Sequence, residues 1–297
     1  MKAPKSSFLI IISFIAIYVI WGSTYLFNKI AVTELPPFFL AAIRFTSAGI
    51  LIILIAKFLK LSFSITKKQF LNSLWASFFF LVYGNAVFVW ALKYVDSGFG
   101  ALIASTNPLF VLVIMRISDK AKLQKKSLIG IVLGMFGMFL LVSQKELLSS
   151  ENMVIGICMM LSCVLSWSYG SVFVSKADLP KNYFVSTAYQ MIIAGLMLAT
   201  LSVAFQENWT NPINWNLEVQ GAMLFLIVFG GIAAFTAFNY LLKTVSPDKV
   251  ATSAYVNPII ALFLGWLFLN ERLTLQSIIA SIILLTGVYF ITSRKKQ

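Results

Sequence analysis

Two halves of this chain repeat one another. Ala104-Ser105-Thr106-Asn107-Pro108-Leu109 lies inside an apolar run, and Ala254-Tyr255-Val256-Asn257-Pro258-Ile259 echoes it 150 residues later. The echo continues without a gap: Leu92-Lys93-Tyr94-Val95 against Leu242-Lys243-Thr244-Val245, Ala101 against Ala251, and Leu112 against Leu262. Leu123 against Leu273, Ser127 against Ser277 and Gly137 against Gly287 extend it over some fifty residues. A collinear match carrying a rare polar-proline pair is a duplication, so the chain must solve one structural problem twice.

The problem is set by lipid. The chain is 60% hydrophobic and 11% charged, with a mean hydropathy of +0.90, more apolar surface than a soluble domain can bury. A helix crosses the hydrocarbon core in about 20 apolar residues. Ten segments meet that length, near 8–31, 37–59, 70–92, 97–117 and 126–143, then 153–175, 183–205, 219–242, 248–269 and 274–292. The expected fold is an all-α integral membrane protein, with ten transmembrane helices as two five-helix repeats, 8–143 and 153–292. The first apolar run has no small-residue cleavage site and continues past Trp21, so it reads as a retained span and not as a signal peptide.

The net charge of +13 sits in short loops between apolar runs, which marks orientation and not nucleic-acid binding. Eighteen Lys and Arg residues fall on one side of the ten segments. Three, Lys93, Lys145 and Arg272, fall on the other. The richer side is expected to be cytoplasmic, with both termini there. Five spans per repeat is an odd number, so the second repeat enters the membrane inverted. Inverted repeats place a substrate site near the midplane, between halves that can exchange conformations. This pattern points to a transporter.

The chemistry available narrows the reading further. The chain has no histidine, which removes the commonest general base and metal ligand. Phosphate-loop, metal and nucleophile motifs are absent, and no cofactor or catalytic residue is expected. Cys158 and Cys163 share one apolar segment and read as small fillers. All ten carboxylates lie in loops or at helix ends, which argues against a proton-coupled cation exporter built on a membrane glutamate. Lys29 sits near the end of the first span and can snorkel to the interface. Arg44 lies about 10 Å deep at 1.5 Å per residue, either as a structural clamp or as partner to an anionic substrate group.

Pro108 and Pro258 remove a backbone donor and are expected to kink their helices. Asn107 and Asn257 add amides at that depth, lining a cavity or hydrogen bonding between helices. Trp21, Tyr83, Asn85, Trp167, Tyr169, Asn239 and Tyr255 complete the substrate-binding candidates, with core packing as the alternative for each.

In these residues the chain resembles the drug/metabolite transporter superfamily, specifically EamA-type permeases. Trp21-Gly22-Ser23-Thr24 with Lys29, Arg44-Phe45, both Asn-Pro pairs, Leu269-Asn270-Glu271-Arg272-Leu273-Thr274, Gln276 and Gly287 carry the resemblance. Where that family has a glutamate at the end of the fourth helix, this chain has Ala121, opposite Glu271. The resemblance implies a multi-pass permease of the inner membrane for small metabolites, amino acids among them, with a central cavity between the repeats. The expected partners are a small-molecule substrate and the bilayer, with the protein a monomer or weak homodimer. The competing readings are a lipid translocator or a non-transporting scaffold, either of which calls for a lipid-facing polar groove. A membrane enzyme lacks its nucleophile and base.

The topology is open to test. Reporter fusions at Lys5 and Gln297 should report a cytoplasmic location and one at Asn208 the opposite side. A periplasmic carboxyl terminus would sink the inverted-repeat argument.

Overall fold

The computed structural model describes residues 7–119, 125–143, 152–245, 250 and 253–292. Ten helical rods occupy the ten apolar segments. They are α1 (Ser7–Glu34), α2 (Pro37–Phe58), α3 (Lys67–Ala91), α4 (Ser97–Ser118), α5 (Lys125–Val142), α6 (Met153–Lys176), α7 (Tyr183–Ala204), α8 (Leu217–Thr244), α9 (Ser253–Leu269) and α10 (Leu275–Thr292). Short connections make successive rods run in opposite directions, giving the bundle a lysine-rich and a lysine-poor end. Bulky apolar residues such as Phe58, Phe139 and Phe268 stand exposed on the perimeter, where lipid would cover them.

Local sequence sets the ends of the rods. Pro37 opens α2 at the first helical position, where its missing N–H has no partner to lose. Thr66 and Gln69 form a reciprocal capping box at the start of α3. Asn182 and Asn216 cap α7 and α8 through their side-chain oxygens. The counterparts α2 and α7 end alike. Lys60 and Gln206 take left-handed φ angles of 53° and 55°, and the next N–H closes onto the Ala56 and Ser202 carbonyls at 2.9 Å.

Counterpart helices of the two repeats also meet. In the α2–α7 crossing, a Cβ added to Gly195 would fall 2.9 Å from the Thr46 backbone nitrogen, and one on Gly49 2.8 Å from the Ile192 side chain. In the α5–α10 crossing, a Cβ on Gly137 would meet the Leu284 backbone at 2.8 Å, and one on Gly287 the Gly134 nitrogen at 2.6 Å. Lipid is as apolar as leucine, so helices in membranes gain contact by close backbone approach at small residues. The Gly137–Gly287 match in sequence is therefore a packing device at one crossing.

The two Asn-Pro copies take different shapes. Pro108 does not kink a continuous helix. The first segment of α4 stops at Ala104, Ser105 and Thr106 form a tight turn, and a new segment starts at Asn107. The Ser105 and Thr106 hydroxyls donate back to the Leu102 and Ile103 carbonyls at 2.7 and 2.6 Å, reinforcing the backbone bonds that the same carbonyls accept in the turn. Pro108 then sits in a first turn, where it costs little. The second copy has Tyr255-Val256 at the matching positions, without short hydroxyls, and α9 runs on through Pro258.

Three rods contain π-helical turns: Ala16–Ile20 in α1, Phe78–Val87 in α3 and Leu226–Phe235 in α8. The stretches in α3 and α8 are ten residues each and lie in counterpart helices. Such turns widen the helix and are rare, with a bias to functional sites.

Glycine packing gives a stability contrast. Gly195→Ala meets backbone that cannot yield and should cost about 1–3 kcal/mol in detergent unfolding. Gly221→Ala, with nothing within 4 Å of its Cβ, should be neutral or stabilising. Equal stabilities for the two variants would remove the close-approach account of the α2–α7 crossing.

Candidate functional site

A cavity of about 140 Å³ opens between the repeats. Eight rods supply its walls, all except α5 and α10. That is close to the ~150 Å³ that holds one benzene ring. From α1 come Trp21, Thr24, Tyr25 and Asn28, which share one face because residues 3, 4 and 7 apart stack along a helix. The π-helical stretch of α3 presents Gly84 and Asn85, and that of α8 presents Gly230 and Phe235.

Trp21 and Trp167, at matching places in α1 and α6, stand on opposite sides and meet edge to face at 5.7 Å. Phe238 packs on both, at 4.9 and 5.8 Å. The Trp21 indole donates to the Gly230 carbonyl at 3.4 Å, so this aromatic wall also touches the α8 backbone.

Both asparagines of the repeat line the cavity, and both tie helices together. The Ser168 hydroxyl in α6 donates to Asn107 Oδ1 at 2.6 Å. Asn257 does the corresponding work on α1. With its amide turned as hydrogen bonding requires, its nitrogen donates to the carbonyls of Ile17 at 3.1 Å, Tyr18 at 2.9 Å and Ser253 at 3.2 Å. Ile17 and Tyr18 lie in the π-helical turn of α1, where the Tyr18 carbonyl also accepts from the Trp21 amide. Each repeat's Asn-Pro helix thus holds the first helix of the other repeat.

Arg44 is 4% exposed and is the one formally charged residue in the described cavity lining. Its Nη1 donates to Asn28 Oδ1 at 3.1 Å and Asn85 Oδ1 at 3.3 Å, and the guanidinium carbon stands 4.9 Å from the Phe45 ring centre. Asn28 was not singled out from sequence. Its signal was there, since an arginine at that depth needs acceptors and Asn28 is two turns along the Trp21 face.

Of the other sequence candidates, Tyr83 is half-exposed and bonds the Ser162 hydroxyl at 3.2 Å, away from the cavity. Tyr169 is also half-exposed and packs its ring on Phe79 at 4.8 Å. Asn239 is buried against Thr187 Oγ1 at 3.0 Å, behind the lining. The Tyr255 side chain and Ala121 lie outside the described residues.

At the lysine-poor end, charges hold helix termini. Lys29 turns toward the end of a neighbouring helix. It donates to the Leu92 and Val95 carbonyls at 2.6 and 3.0 Å, at the end of α3. Glu271 accepts from the Ser97 and Gly98 amides at 2.7 and 3.0 Å, capping α4, and Glu207 caps α2 at the Phe38 and Phe39 amides. Each carboxylate comes from the second repeat and each capped helix from the first. Beside them, burial holds the Asp96 carboxyl above the usual range, with the Glu271 charge adding and Lys29 opposing.

The EamA-like transporter family model matches residues 8–143 and 154–293, nearly the whole chain. The chain belongs to that family. It is similar to the uncharacterized inner membrane transporter YedA of Escherichia coli, 33% identical over 283 residues, which cover 94% of this chain and 89% of YedA. It also matches the uncharacterized transporter YoaV of Bacillus subtilis, 24% identical across 97% of this chain and 99% of that one. A crystallographically determined chain shares the fold at a TM-score of 0.70 and 19% identity, with 96% of both chains covered.

The amide geometry can be checked directly. Asn257→Ala strips up to three hydrogen bonds from a membrane-depth site, and should cost about 1–2 kcal/mol at the upper range for such pairs. Unfolding in detergent measures it, and a wild-type midpoint would show that the π-helical carbonyls of α1 do not depend on Asn257.

Proposed function

We propose that this protein is a secondary transporter of the inner membrane, moving a small metabolite, amino acids and related compounds among the classes, by alternating access. The halves 8–143 and 153–292 are the moving units, and substrate sits between them against Trp21, Trp167, Asn85, Arg44, Asn107 and Asn257. The observation that carries this reading is the cavity itself, walled by four helices of each repeat. Rocking of one repeat against the other would uncover such a space from either side in turn. The Asn107–Ser168 and Asn257–α1 contacts cross between repeats and would be remade at each exchange. A cavity lined by helices of both repeats supports solute transport over lipid translocation, which calls for a polar groove along the lipid-facing surface. No catalytic role is assigned to any residue.

The experiment is a metabolite uptake and efflux screen in a deletion strain, followed by the transported solute in proteoliposomes. Ala104→Phe should abolish transport while the protein still folds, because Ala104 lines the cavity and a phenyl ring would fill a volume of benzene size. Wild-type transport by a folded Ala104→Phe protein would place the path elsewhere.

A further inference from the structure

We propose that the cavity takes a small organic anion, with the anion's carboxylate seated on the Nε–Nη2 edge of Arg44. This deepens the transporter reading above and rests on it.

A guanidinium offers five N–H donors in a planar fork, and two parallel N–H bonds to one carboxylate are its strongest pairing. Arg44 spends its described bonds through Nη1 alone, on the Asn28 and Asn85 oxygens. Its Nε is buried with no partner. Nη2 has no described hydrogen bond and stands at the π-helical stretch of α8, 3.2 Å from where a Cβ on Gly230 would lie. Glycine leaves that space empty. Nε and Nη2 share one edge of the plane, opposite the Cδ side, and that edge receives carboxylates in a side-on fork. Arg44 is therefore held by two neutral amides on one corner, with its buried Nε and its Nη2 left without a described acceptor on the edge whose geometry matches a carboxylate.

Charge points the same way. No carboxylate lies in the described cavity lining, so the guanidinium has no counter-charge at a depth where an isolated charge is costly. A structural clamp would be expected to use the remaining donors on protein acceptors. An anionic ligand would neutralise the charge on arrival. The lining offers an ammonium group no carboxylate, and the Arg44 charge repels it, which favours a net anion over a cation. The remaining walls, Trp21, Tyr25, Phe88 and Trp167, suit a compact apolar body behind the carboxylate.

The test compares acids with their amides on the purified protein in detergent. Lactate against lactamide, and benzoate against benzamide, differ in charge at nearly constant shape. Ligands are titrated to tens of millimolar at ionic strength matched with sodium chloride, with protection from thermal unfolding as the readout. The carboxylates should protect with at least tenfold tighter apparent affinity than their amides. Arg44→Lys, which keeps the charge and loses the fork, should lose at least tenfold of that affinity. Gly230→Ala, which crowds Nη2 and leaves the charge intact, should weaken the acids and so narrow their advantage over the amides.

Equal protection by acid and amide, or no protection by either carboxylate, overturns the proposal. The wild-type comparison decides even if the Arg44 variant does not fold. If Ala104→Phe abolishes transport and acids bind no better than amides, only the anion assignment falls. If Ala104→Phe transports normally, the cavity reading itself falls and this inference with it.

Discussion

Backbone carbonyls at membrane depth have no water to turn to, and the centre of this protein is built around that constraint. The π-helical turns in α1, α3 and α8 and the broken helix at Asn107 all disturb regular ladders where the repeats meet. Side-chain donors add bonds at these places: the Ser105 and Thr106 hydroxyls within α4, and Asn257 across to α1. Irregular backbone inside a membrane survives only where protein or a cavity surrounds it, so the disturbed helices and the cavity occupy the same place for one reason. The asparagines are therefore structural and cavity-lining at once.

Charge divides between the ends and the middle. Lys29 holds the last carbonyls of α3, and Lys243 approaches those of α6 at 3.3 and 3.5 Å. The helix pairs involved are counterparts in the two repeats, with the lysine moved from one partner to the other. Glu207 and Glu271 hold first-turn amides. Contacts of this type complement helix dipoles and contribute about 0.3–1 kcal/mol each, more where partly buried. The two glutamates also join the repeats at the lysine-poor end, so any opening there must break charge-assisted hydrogen bonds. What remains for the interior is Arg44, held by amides and with no carboxylate in the lining beside it.

The sequence by itself determined the solvent, the number of spans and the duplication. Hydrophobic run length reports crossing a bilayer directly, and a 150-residue echo needs no structure to be seen. It also placed Trp21, Arg44, Asn85, Asn107, Trp167 and Asn257 among the residues worth watching, because polar groups at that depth must face protein. Tertiary structure decided which of them share one space. Tyr83 and Tyr169 turn outward and Asn239 turns into a neighbouring contact, because rotation of a helix about its axis is set by packing partners on other helices, distant in sequence. A helix hydrophobic nearly all round carries too little amphipathic signal to reveal that angle. The π-helical turns were hidden because they change a hydrogen-bond register, to which side-chain periodicity over ten residues is almost blind. The pairing of Arg44 with Asn28 and Asn85 was decided by how α1, α2 and α3 pack together. The roles of Lys29 and Glu271 were likewise decided by which helix ends lie within reach.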